Sequence, residues 1–150
     1  MNALAATFPD AGEVVFRGRC SGDDDAVGRL VEELQATFSA RLVDPERAGN
    51  VLIVLGEMLN NTVEHAMRGR SDGWIDLTVR SFADRMEVLT RDDGRALPPA
   101  LLEGGRDLPA MGDTPDDMPE GGFGWFLIHT LVDDLTYERT DGVNRMTFSF

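Results

Sequence analysis

The run from Asp44 to Ala66 admits one regular structure. Its apolar residues Val51, Val54, Leu55, Met58, Leu59 and Val63 recur at the three- and four-residue intervals of one helix face. Asp44-Pro45 supplies the start, with Asp as N-cap and Pro pre-set for the first helical position. A face this apolar must be covered by another layer, and the following segments are built to cover it. From Trp74 to Arg80 the chain alternates. Ile75, Leu77 and Val79 point one way and Trp74, Asp76, Thr78 and Arg80 the other, the pattern of a half-buried strand. Phe82 to Arg85 turns the chain, and Met86 to Thr90 gives a second strand with Asp92 just past its end.

The flanks complete the layers. Glu13 to Arg19 reads as a strand. Asp23-Asp24-Asp25 caps a helix with Val27, Leu30, Val31, Leu34 and Phe38 on one face. Residues 95–120, rich in Pro, Gly and Asp, show little periodicity beyond a turn of helix around Pro99 to Leu102, and a loop this long marks a functional or disordered segment. After Gly121-Gly122 the run Phe123 to Leu131 is expected to be helical. Leu135 to Arg139 and Asn144 to Phe150 then form a hairpin about Thr140-Asp141-Gly142. Hairpin strands with separately grouped helices predict an α/β protein of the α+β kind. We expect a single domain, 1–150, built as a two-layer sandwich with helices on one face of a mixed, largely antiparallel sheet.

Composition narrows the chemistry. The net charge is -13, and all 14 basic residues are arginine. An acidic surface repels a phosphate backbone, so no direct nucleic-acid binding is expected. The absence of lysine excludes a Walker A lysine, a protein-kinase strand lysine and a Schiff base. Two histidines and one cysteine make a zinc site of the usual ligands improbable. No apolar run approaches the roughly 20 residues that span a bilayer. The first residues lack the charge and length of a signal peptide, and lone Cys20 cannot form an internal disulfide. The expectation is a cytoplasmic protein away from membranes.

Three stretches carry polar residues where packing alone does not ask for them. Glu57, Asn61 and His65 share one stripe of the long helix, at the margin of its apolar face. A solvated helix face is the plain alternative. Magnesium keeps several waters and needs few protein ligands beyond substrate phosphates, so one asparagine oxygen suffices; Glu57 beside it could then orient or deprotonate an attacking hydroxyl. Asp92-Asp93-Gly94 is either an ordinary turn or a carboxylate placed to accept from an exocyclic amino group, with Gly94 allowing close approach. Gly121, Gly122 and Gly124 open a helix, as a hinge or as a phosphate cradle of free N–H groups. The match to a dinucleotide fingerprint is weak, because Leu127 stands in place of a third glycine and no strand precedes it.

In this order and spacing the stretches resemble the GHKL (histidine-kinase-like, Bergerat-fold) ATPases, and within them the anti-sigma-factor serine/threonine kinases. Glu57-Met-Leu-Asn-Asn61-Thr-Val-Glu-His65-Ala66 is similar to the N box. Asp92-Asp-Gly94 is similar to the G1 box, and Glu120-Gly-Gly-Phe-Gly-Trp-Phe-Leu-Ile128 with Leu131-Val-Asp133 to the G2 box and its trailing helix. The likeness runs through Tyr137 and Asn144-Arg-Met-Thr-Phe148. Ala96 stands where the G1 box often has a second glycine.

The resemblance implies ATP with Mg2+. Asn61 would ligand the metal, Asp92 would contact adenine, and Gly94, Gly121, Gly122, Gly124 and His65 would line the nucleotide. Residues 95–120 would be the ATP lid. Glu57 would be the catalytic base toward a serine or threonine. An adenine-side threonine of the last strand would fall at Met146 or Thr147. As partners the resemblance implies a STAS-domain anti-sigma-factor antagonist, a sigma factor and a second copy in a homodimer. The competing reading is a nucleotide-dependent clamp that sequesters its partner without transferring phosphate.

Overall fold

The computed structural model describes residues 12–70, 72–99 and 122–150. Five strands form one sheet: β1 (Glu13–Ser21), β2 (Trp74–Ser81), β3 (Met86–Asp92), β4 (Asp134–Thr140) and β5 (Val143–Ser149). Their spatial order is β1-β2-β3-β5-β4, and all four pairings are antiparallel. The helices are α1 (Asp24–Ala40), α2 (Pro45–Asn61) and α3 (Gly122–Leu131). Most of the expected lid, residues 100–120, and Gly121 lie outside the described residues.

The caps form as the sequence predicts. Asp23 accepts from Ala26 N at 2.9 Å to start α1, and Asp44 accepts from Arg47 N at 3.0 Å to start α2. Val51, Val54, Leu55, Met58 and Leu59 of α2 are buried, as are Ile75, Leu77, Val79, Val88, Met146 and Phe148 of the sheet. Burying a side chain of this size contributes about 1.5–3 kcal/mol, so this face of α2 holds the two layers together. The β4–β5 hairpin turns on Asp141 (φ 52) and Gly142 (φ 76), both left-handed, as a two-residue primed turn requires.

Two boundaries differ from the sequence reading. Asp92 is the last residue of β3 rather than a residue beyond it. The long helix stops being α-helical at Asn61 and continues to Met67 as a π-helical segment, with Val63 only partly buried. The buried Thr62 hydroxyl donates to Met58 O at 3.0 Å, a back-bond that perturbs a helix ladder. Arg68 N reaches Val63 O at 3.2 Å, a five-residue step, and Arg68 (φ 44) and Gly69 (φ 79) end the segment in the left-handed region. Periodicity cannot distinguish this ending from a plain α-helix.

Among the described residues no helix lies on the second face of the sheet. It carries the exposed Arg17, Arg19, Arg91 and Arg145, and Arg19 stacks over the half-buried Trp74 ring at 4.6 Å. In a chain of net charge -13, this face is locally basic.

Candidate functional site

Two approaches on the helix-covered side of the sheet bring candidate residues to the long helix: the start of α3 meets it at Glu57, and the turn after β3 meets its end at Ala66. Packing of α3 on α2 brings the glycine-rich stretch to the Glu57 stripe. At Gly124 the backbone passes so close that an added Cβ would overlap the Glu57 carboxylate, meeting Cδ at 3.3 Å. The positive dipole end of a helix start lies beside this carboxylate.

Asn61, one turn on, is 4% exposed. Its side-chain amide makes no hydrogen bond among the described residues. A nearly buried amide without a protein partner suits a group meant to hold a ligand. Glu57 is partly buried and likewise has no hydrogen bond or ion pair among the described residues. No cluster of three or more His, Cys, Asp or Glu that could hold a metal occurs among them. The donors present therefore suit magnesium, which takes few protein ligands when a substrate supplies oxygens. They do not suit a metal caged by protein alone. His65 lies in the π-helical segment, partly exposed, with Nε2 3.8 Å from Glu64 Oε2. It is further along the stripe than Glu57 and Asn61.

The end of β3 turns back on itself. Gly94 N donates to Asp92 Oδ1 at 2.9 Å, closing an Asx turn. The ordinary-turn reading of Asp-Asp-Gly is thus correct as far as it goes, but the turn is also buried against the helix. Arg95 N donates to Ala66 O at 2.8 Å, a carbonyl that the helix end leaves without an intrahelical partner. At Gly94 any Cβ would come within 2.7 Å of that same carbonyl, so glycine is required by contact. Asp93 Oδ1 accepts from Trp74 N at 2.8 Å and pins the start of β2 to the turn.

Asp92 is 5% exposed. Burial pushes its carboxyl above the usual carboxylate range, against the downward pull of the Asn144 and Gly94 donors. Both hydrogen bonds that it accepts among the described residues go to Oδ1.

Asn144 was not among the sequence candidates. It lies opposite Asp92 across the β3–β5 pair and donates to it at 2.9 Å. Of the two last-strand positions weighed for a base contact, Met146 is on the helix side beside Thr90, whereas Thr147 pairs with Leu89 on the opposite face. The one available signal was the Asp-Gly turn, which fixes Asn144 opposite Arg139. It does not fix β5 against β3.

Comparison with known proteins finds a matching family and several relatives. A family model described as histidine kinase-like ATPase domain matches residues 20–150. The serine-protein kinase RsbW of Listeria innocua serovar 6a is 30% identical over 119 residues, 79% of this chain and 74% of that protein. The serine-protein kinase RsbW of Bacillus subtilis is 29% identical over 91 residues, 61% of this chain and 57% of that protein. Among solved structures, the SiaB–SiaC complex from Pseudomonas aeruginosa has a chain with TM-score 0.60 at 14% identity, covering 91% of this chain and 89% of that one. The RsbU and RsbW domains of Rv1364c from Mycobacterium tuberculosis give TM-score 0.58 at 14% identity, covering 89% of this chain and 32% of that one. At these identities the two structures bear on the fold alone.

Proposed function

The chain belongs to the histidine kinase-like ATPase family, and on that premise we propose that it is an ATP-dependent serine/threonine protein kinase and anti-sigma factor. Its substrate in this reading is a STAS-domain antagonist, which it phosphorylates to control release of a sigma factor. Residues 1–150 act as one ATPase domain, working as a homodimer in the cytoplasm. Among the described residues no helix is long and apolar enough to cross a membrane. The observation that carries the reading is the approach of Gly124 to Glu57, which sets a carboxylate against a helix start, one turn from a nearly buried amide, both without a hydrogen-bond partner among the described residues.

Each residue then has a task. Asn61 would hold Mg2+, and the α3 start with Gly122 and Gly124 would receive phosphate oxygens through backbone N–H groups. Asp92 would accept from the adenine amino group, and Gly94 would keep that wall low. Bound Mg-ATP supplies the phosphoryl group and neutralises its charge. Glu57 orients the partner's hydroxyl and takes its proton.

Asn61→Ala tests the metal assignment. It deletes the one protein ligand assigned to Mg2+, so the magnesium-dependent tightening of ATP binding should largely disappear while metal-free affinity changes less. Calorimetry with and without Mg2+ reads this directly. Equal losses under both conditions would give Asn61 a packing role instead. The function itself is tested by incubating the pure protein with labelled ATP and candidate STAS antagonists. Phosphate on a serine or threonine supports the kinase, whereas nucleotide-dependent binding without transfer supports the clamp.

A further inference from the structure

We propose that Asn144 is a positioning residue for nucleotide selection, joining the Asp92 carboxylate to the first residues of the following loop; this rests on the nucleotide reading above. Asn144 is 2% exposed. Its amide uses its full hydrogen-bonding capacity. Nδ2 donates to Asp92 Oδ1 at 2.9 Å and to Arg95 O at 2.7 Å. Oδ1 accepts from the Tyr137 hydroxyl at 2.6 Å and from Arg139 Nη1 at 2.8 Å. Two acceptors on one side and two donors on the other leave the amide a single orientation. Turning it over would set oxygen against oxygen and N–H against N–H.

The node holds more than the carboxylate. Arg139 Nη1 also donates to Gly94 O at 2.9 Å, and Leu97 N donates to the Tyr137 oxygen at 3.1 Å. Residues 92 to 97 are thereby fastened to the β4–β5 hairpin through one buried amide and its two neighbours. With Oδ1 engaged by Asn144 and Gly94, the plane of the Asp92 carboxylate is fixed. That orientation matters for choosing a base. A fixed carboxylate accepts from the amino group of adenine and repels the carbonyl oxygen that guanine carries at the same ring position. A carboxylate free to rotate, or to exchange protein N–H groups for water, discriminates less.

The test is calorimetric titration of the full chain with ATP and with GTP, together with amide exchange at Leu97. Asn144→Ala should weaken ATP about ten- to a hundredfold, the effect of stranding buried partners, and should lower the ATP-to-GTP affinity ratio by at least about tenfold. Tyr137→Phe keeps the ring and removes the hydroxyl. It should weaken ATP about two- to tenfold and speed exchange of the Leu97 amide. A purely structural role would lower Tm and leave the ratio unchanged, so a folded Asn144→Ala with the wild-type ratio overturns the proposal. If Asn144→Ala does not fold, Tyr137→Phe decides, and unchanged ATP affinity with unchanged Leu97 exchange overturns it. Asp92→Asn separates the two levels. Wild-type protein that binds no ATP defeats the nucleotide reading itself, and retained ATP affinity in Asp92→Asn removes Asp92 from the base contact, whereas lost affinity there beside an unaltered ratio in Asn144→Ala defeats only the node.

Discussion

Glu57→Gln should slow phosphate transfer to a cognate STAS antagonist by about 10²–10⁴-fold, the usual worth of a general base, while ATP and partner binding stay near wild type. The substitution is nearly isosteric. Because Glu57 has no hydrogen bond or ion pair among the described residues, it strands none of those groups. The amide cannot take a proton from the attacking hydroxyl. Glu64, the other carboxylate in the stretch, is exposed and sits beyond Asn61 in the π-helical segment, 3.8 Å from His65, so it is poorly placed to substitute. Single-turnover assays with labelled ATP measure the rate. Transfer at the wild-type rate would assign the proton to some other group. A wild-type protein that binds its antagonist only with nucleotide and never phosphorylates it would decide for the clamp.

Asp92→Asn should cost about ten- to a hundredfold in ATP affinity, from the 1–3 kcal/mol typical of a mismatched buried polar pair. An amide at this place turns an N–H either toward the base or toward the donors of Gly94 and Asn144, and both choices lose a hydrogen bond. Unchanged affinity by calorimetry would remove Asp92 from the site. The same carboxyl gives the free protein a pH signature. Burial raises its pKa above the ordinary range, so the folded state holds this proton more tightly than the unfolded chain. Stability contributed by this group therefore increases as pH falls from the raised folded value to the ordinary carboxylate value. ATP binding moves oppositely there, because a protonated carboxyl is a poorer acceptor. Asp92→Asn should abolish both trends, which paired denaturation and binding titrations at several pH values would show.

Much of this was legible in the sequence for physical reasons. The α1 and α2 caps, the alternation of β2 and the Asp-Gly hairpin are local, and short-range sterics and hydrogen bonding set them. The stripe of Glu57 and Asn61 was legible because helix geometry carries i to i+4. The π-helical ending was not, since it depends on a single back-bonding threonine and on a left-handed stop at Arg68. Asn144 was invisible for another reason. Its role depends on the register of β5 against β3, strands distant in sequence with α3 and β4 between them. No local pattern sets that register.

The two tryptophans stand on opposite sides of the sheet. Trp125 follows Gly124, is 2% exposed and has an indole N–H with no partner among the described residues. Trp74 lies on the open face beneath Arg19 and within 5.7 Å of Arg91. The molecule therefore carries its own pair of optical probes. The buried indole emits to the blue and senses the first turn of α3, and the other emits under a cationic neighbour on the far side of the protein. With Trp74→Phe the remaining emission becomes a label-free gauge of what arrives beside Glu57, and with Trp125→Phe it becomes a gauge of whatever settles on the arginine-bearing face. Occupancy of the two sides can be followed separately in one cuvette.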